Sequence, residues 1–234
     1  MKIALVGYGK MGKEIESLCL SRGHEISVIS DSHRPLMAEN LAGTDVAIEF
    51  TRPDSAAGNI LRCFEAGVPV VCGTTGWYNR LPEIRQEALN SGGTLLYASN
   101  FSIGVNVVFH LNRMLAGIMD RFPEYSASVH EIHHVHKLDK PSGTAITLAE
   151  GILGENKKYE TWSDTPDDKV LAVTSERTDE VPGTHIINWQ SEVDLISLRH
   201  EAFSRQGFAL GAVHGAEWLH GKKGVYSIHD FLKF

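Results

Sequence analysis

Along the first hundred residues the chain alternates between two kinds of segment. Short apolar runs at 2–6, 24–30, 45–50, 70–72 and 94–97 have the length and branched side chains of buried strands. Between them, apolar residues recur at helical spacing: Ile15, Leu18 and Cys19 after the first run, then 54–66 and 82–89. This alternation predicts an α/β fold with a parallel sheet. From 105 to 119 the pattern is that of a strongly apolar helix, with Leu111, Leu115 and Met119 on one stripe expected to face a core. Residues 125–132 alternate as a strand, and Ala145, Ile146, Leu148, Ala149 and Ile152 mark a helix reaching about residue 153. The polar stretch 154–168 reads as a loop. Segments 170–177, 185–191 and 194–201 read as strands with no helix between them, so the sheet there is mixed or antiparallel. Phe208, Leu210, Ala212, Val213, Ala216 and Leu219 return to helical spacing, and 224–228 is a short strand. The expected division is one domain of residues 1–103 and 206–234, and a second, smaller α+β domain of 104–205. There is no internal repeat and no low-complexity segment.

Composition narrows the ligands. Apolar residues make up 42% of the chain and charged residues 22%, the balance of a soluble globular protein. A net charge of -7 argues against nucleic acid or an anionic membrane as partner, so an anionic ligand needs a local basic cluster. Cys19, Cys63 and Cys72 are odd in number and lack metal-type spacing, which points to reduced thiols. The first apolar run meets glycine too soon for a signal peptide, and no run reaches the ~20 residues that span a bilayer. A cytoplasmic location is expected. The second domain's open sheet, with no fully apolar stripe, suggests pairing between copies.

Candidate chemistry sits at the ends of the runs. Gly7-Tyr8-Gly9-Lys10-Met11-Gly12 is a G-x-G-x-x-G loop between strand and helix, where glycine permits a tight turn, approach to a pyrophosphate and close helix–strand packing. In this context it predicts a Rossmann-like nucleotide domain. Asp31 closes the second strand, where an acid hydrogen-bonds ribose hydroxyls and favours NADH; Ser32, His33 and Arg34 follow at once and suit a phosphate, so NADPH stays open. Thr51, Thr74 with Thr75, and Ser99 with Asn100 end further strands, the side on which such sheets bind ligands.

The densest signal is Glu131-Ile-His-His-Val-His-Lys-Leu-Asp-Lys-Pro-Ser-Gly-Thr-Ala145, read as strand, basic loop and helix start. Free N–H groups of Gly143 and Thr144 at a helix N-terminus form a carboxylate site, and nearby His and Lys add charge and a proton. A small dianion that is protonated during reaction is the fitting guest. Zinc is an alternative for the imidazoles, weakened by the absence of cysteine and of an evident second ligand set. His130 and His136 read as structural, and His185, His200, His214, His220 and His229 receive no role.

These motifs, with Glu49-Phe-Thr-Arg-Pro53, Gly73-Thr-Thr-Gly76 and Ala98-Ser-Asn-Phe-Ser-Ile-Gly-Val-Asn106, resemble the 4-hydroxy-tetrahydrodipicolinate reductase (dihydrodipicolinate reductase) family over essentially the whole length. The glycine loop is one residue shorter than in many members, and Lys140 replaces a common small residue. The resemblance implies NAD(P)H-dependent reduction of (2S,4S)-4-hydroxy-tetrahydrodipicolinate, with loss of water, in diaminopimelate and lysine biosynthesis. It implies His133 and Lys137 as the acid–base pair, His134, Lys137, Ser142, Gly143, Thr144 and Arg205 at the substrate, and no metal. Gly7 through Gly12, Asp31, Phe50, Thr51, Gly73, Thr74, Thr75, Ala98, Ser99, Asn100 and Phe101 match cofactor segments. It also implies a homotetramer formed through the substrate domain, with a hinge between domains. A different Rossmann dehydrogenase would share the first hundred residues but not the His-Lys loop. A nucleotide sensor would need a basic DNA-reading element, which the acidic balance disfavours.

Overall fold

Five runs of the first hundred residues become neighbours in one sheet. In the computed structural model, which describes residues 1–234, the chain begins β1 (Lys2–Val6), α1 (Lys10–Ser21), β2 (Glu25–Ser30), β3 (Val46–Glu49), α2 (Pro53–Glu65), β4 (Val70–Cys72), α3 (Leu81–Ser91), β5 (Thr94–Tyr97). It continues through α4 (Ile103–Met119), β6 (Ser126–His133), α5 (Gly143–Glu155), β7 (Thr161–Ser163), β8 (Val170–Arg177), β9 (Gly183–Gln190) and β10 (Leu195–Ala202). It ends with α6 (Gln206–Leu219), β11 (Gly224–Ser227) and α7 (Ile228–Leu232). Two units result: Met1–Ser102 with Gln206–Phe234, and Ile103–Arg205.

The first unit holds a six-stranded sheet in the order β11-β5-β4-β3-β1-β2, with every pair parallel. Successive strand residues point to opposite faces. Ala4 and Val6 therefore pack with Ile60, Cys63 and Phe64 of α2, while Ile3 and Leu5 pack with Ile15 of α1 and Ala212 and Val213 of α6. Burial on both faces is why these strands read as unbroken apolar runs. The three cysteines are free and buried, and burial pushes the Cys63 thiol up to about 12, so they serve as packing groups.

The second unit holds a mixed five-stranded sheet, β10-β9-β6-β8-β7, in which β6 runs antiparallel to β9 and parallel to β8. Helices α4 and α5 pack on it through Ala116, Met119, Leu148 and Ile152, against Val129, Val173, Ile187 and Trp189. Two expectations are corrected. Leu111 is 42% exposed, and the buried stripe of α4 is Val105, Asn106, Asn112, Ala116 and Met119. Asn112 can be buried there because its Nδ2 donates to the Leu148 carbonyl at 2.9 Å. The stretch expected as loop also contains β7, a three-residue strand too short and polar to show an apolar period. No helix is long and apolar enough to cross a membrane.

In the first unit α6 is pinned to the end of α1 by Glu217, which accepts two hydrogen bonds from Arg22 at 2.9 Å and lies 2.9 Å from His24 Nε2. The Arg22 hydrogen bonds, assisted by His24, hold its carboxyl near 2, against an ordinary 4.5. A depressed folded pKa adds stability that is whole above pH ~4.5 and disappears as pH falls toward 2. Glu217→Gln is expected to lose about 1 kcal/mol at pH 7 given the partial exposure. That corresponds to roughly 2–4 °C in thermal unfolding, with wild type and variant converging near pH 2.

Candidate active site

The glycine loop follows from backbone demands. Gly7 has φ of 98°, and a Cβ there would lie 2.0 Å from the Phe50 carbonyl oxygen. At Gly12 a Cβ would meet the Gly7 carbonyl at 2.2 Å, because α1 leaves so close to β1. Gly9 differs: nothing lies within 4 Å of its missing side chain, and it caps α1 with no side-chain hydrogen bond. Lys10 and Met11 then present N–H groups with no intrahelical acceptor beside an open backbone, which fits a pyrophosphate.

The other strand ends of this unit are cross-tied. The Phe50 ring fills the space beside Gly73, 2.1 Å from where a Cβ would stand, and lies 6.1 Å from the Phe101 ring. Thr51 N–H donates to Thr74 Oγ1 at 2.7 Å, and Thr51 Oγ1 donates to the buried Glu49 carboxylate. Asn100 Oδ1 accepts from Ser102 N–H at 2.8 Å; Ala98 is buried, while Thr75 and Ser99 are exposed. Tyr8 donates to Glu16. Asp31 Oδ1 accepts the N–H groups of His33 and Arg34 at 2.8 and 2.9 Å, which hold its carboxyl below the usual range and close its own turn.

In the second unit, alternation along β6 puts Val129, Glu131 and His133 on the face covered by α4 and α5. Glu131 has no exposed surface, and His133 is 7% exposed. Register brings Arg177 of β8 opposite His133 and His185 of β9 opposite Glu131. Glu131 Oε1 accepts from Ser142 N–H and from Arg177 Nη2, both at 3.0 Å. Its Oε2 lies 3.3 Å from His133 Nδ1 and 3.7 Å from His185 Nε2. Burial alone would raise this carboxyl. The groups around it, His133, Ser142, Ser175 and Arg177, outweigh that and hold it ionised, well below the carboxylate range. Burial first, then the nearby His133, lowers His185 to about 4, so that ring is neutral.

Arg177 also straps the basic loop, donating to the carbonyls of Asp139 at 2.6 Å and Lys137 at 3.4 Å. Lys137 Nζ contacts both oxygens of Asp139 at 2.8 Å. Ser142 is the N-cap of α5; its Oγ accepts from Ala145 N–H at 3.2 Å. Gly143 and Thr144 are the first helical residues, so their N–H groups have no intrahelical acceptor. His134 is half-buried, and His136 is exposed beside Glu180 at 3.4 Å. Arg205 is exposed beyond β10, with no carboxylate in ion-pair contact.

The structure gathers His133, Ser142 and the start of α5 around one carboxylate. Glu131, Arg177 and His185 were assigned no role from sequence. Glu131 opens the motif and could have been found as an acid alternating into a core, whereas Arg177 and His185 arrive only through strand register. Glu131, His133 and His185 offer donor atoms within 4.8 Å of one another, a spacing compatible with a metal ion. The Arg177 guanidinium on the same carboxylate opposes a further divalent charge.

A glycine-loop nucleotide unit joined in one chain to a cationic strand, loop and helix start defines a dinucleotide-dependent oxidoreductase. Comparison with known proteins specifies which. The family described as dihydrodipicolinate reductase, N-terminus, matches residues 1–101, and its C-terminus matches 104–232. A 4-hydroxy-tetrahydrodipicolinate reductase of Christiangramia forsetii is 46% identical over 99% of this chain and 98% of its own. One from Neisseria gonorrhoeae is 32% identical over 93% of this chain and 83% of its own. A dipicolinate-bound dihydrodipicolinate reductase from Paenisporosarcina sp. TG-14 shares the fold with a TM-score of 0.81, at 22% identity over 97% of both chains. The chain belongs to the dihydrodipicolinate reductase family.

The second and third glycines of the loop separate experimentally. Gly12→Ala is expected to lower the melting temperature by several degrees, because a backbone carbonyl blocks the new Cβ. Gly9→Ala is expected to leave melting nearly unchanged while weakening NADH about tenfold in a fluorescence titration, as a methyl group enters the pyrophosphate's approach.

Proposed function

We infer that the chain catalyses NAD(P)H-dependent reduction, with loss of water, of (2S,4S)-4-hydroxy-2,3,4,5-tetrahydrodipicolinate to (S)-2,3,4,5-tetrahydrodipicolinate, in diaminopimelate and lysine biosynthesis. The observation that carries this reading is the run from Glu131 to Thr144, which places an imidazole, an amine and two unpaired helix-start N–H groups in one strand–loop–helix.

When bound, the nicotinamide cofactor supplies hydride. The open backbone at Gly9 and the N–H groups of Lys10 and Met11 hold its pyrophosphate. The ionised Asp31 favours ribose hydroxyls over a 2′-phosphate and so NADH, while the exposed Arg34, 3.7 Å away, gives NADPH a partner. The Gly143 and Thr144 amides take one substrate carboxylate. Lys137 exchanges Asp139 for the other, and His134 borders it. Lys137 and His133 share delivery of the proton that completes the reduction; an imidazole, with an ordinary pKa of ~6.5, sits nearer working pH than an amine at ~10.4. Arg205 adds positive charge for the dianion. No metal enters this scheme. The buried free thiols favour a cytoplasmic enzyme. Ile132, Ile186 and Leu195, on the sheet face opposite α4 and α5, favour assembly, for which a homotetramer is the proposed state.

Mixing the protein with NADH and the condensation product of pyruvate and aspartate semialdehyde is expected to give a loss of nicotinamide absorbance; no loss contradicts the reading. Lys137→Ala should lower kcat by about 100-fold or more while leaving NADH affinity unchanged. Full turnover by that variant removes Lys137 from the mechanism.

A further inference from the structure

We propose that Glu131 is a positioning residue: its buried carboxylate fixes the His133 proton on Nδ1, so that proton exchange with substrate runs through Nε2. The proposal deepens the assignment of His133 to the acid–base pair and rests on it for its kinetic consequence only.

Oε1 of Glu131 is engaged by two donors, Ser142 N–H and Arg177 Nη2, each at 3.0 Å. Oε2 is sealed from water and has no conventional hydrogen-bond partner, and the same is true of His133 Nδ1. These two orphaned atoms face each other at 3.3 Å. An ionised carboxylate only accepts, so this contact is attractive only when Nδ1 carries the hydrogen. His185 does not displace this arrangement: its Nε2 is farther from Oε2, at 3.7 Å, and lies 3.3 Å from Ser142 Oγ. Its ring stands edge-on to that of His133, with centroids 5.1 Å apart. The opposite edge of His133, Nε2 and Cδ2, lies beside Gly183, where a Cβ would come within 3.0 and 3.3 Å. The lack of a side chain at Gly183 leaves that edge room.

A ring held this way has its lone pair on Nε2 when neutral and gains or loses a proton only there. Its second proton is therefore exchanged at the edge that faces Gly183. Glu131→Gln preserves shape and reverses the logic. Ser142 N–H and Arg177 still require an acceptor, so the amide oxygen stays with them and the amide NH2 turns toward His133. That NH2 donates to Nδ1 and moves the neutral ring's hydrogen to Nε2.

The test is long-range 1H–15N correlation of the imidazoles in the full-length protein, with His133 identified among the 12 histidines by its loss in His133→Ala. Wild type is expected to show His133 with hydrogen on Nδ1, and Glu131→Gln with hydrogen on Nε2. Hydrogen on Nε2 in the wild type overturns the proposal, and this reading requires no variant of Glu131 to fold. In kinetics, Glu131→Gln should lower kcat about 10²–10³-fold with the KM for NADH unchanged. The double variant Glu131→Gln/His133→Ala should be no slower than His133→Ala alone. Multiplying losses would mean that Glu131 acts independently of His133, and would sink the idea. If wild type leaves the dicarboxylate substrate unreduced, the functional reading fails while the tautomer still decides the role of Glu131.

Discussion

A carboxylate without solvent contact is stable in ionised form only where donors replace its water. Glu131 meets that condition with groups drawn from every part of the second unit that borders the basic loop. The Ser142 N–H comes from the start of α5, Arg177 from β8 and His133 from β6 itself. Each of these donors is thereby fixed. The helix start cannot drift from the strand, the loop from 134 to 142 is strapped by Arg177, and the imidazole has a defined orientation. A single buried charge thus ties the strand, the cationic loop and the helix start to one another.

The first unit is ordered by a different route. Its glycine loop uses few charged groups and depends on close backbone approach: Gly7 against the Phe50 carbonyl, Gly12 against Gly7, and the Phe50 ring over Gly73. Glu49, also fully buried, fixes Thr51, which in turn holds Thr74. Each unit therefore places a buried carboxylate at the end of a central strand, used to set the neighbouring polar residues.

Legibility in the sequence followed locality. The parallel sheet was readable because double-faced burial leaves apolar runs separated by helical periods. The glycine loop and the segment from Glu131 to Thr144 were readable because their chemistry lies within a few residues of chain. The ties of Glu131 to Arg177 and His185 were not, since Arg177 lies 46 residues away and strand register alone pairs them. The stripe on α4 was misplaced at Leu111 because a buried Asn112, whose Nδ2 donates to the Leu148 carbonyl, looks polar in a pattern that counts only apolar residues. Strand β7 escaped notice because three polar-flanked residues carry no period.

The loop and helix start organised by Glu131 are proposed to grip a small dianion. A crystal structure of the protein with NADH and pyridine-2,6-dicarboxylate tests it most directly. One carboxylate should lie on the Gly143 and Thr144 amides, with Lys137 moved from Asp139 to the ligand and the Glu131–Arg177 pair intact. A ligand lodged away from Lys137 and Thr144 would contradict the account.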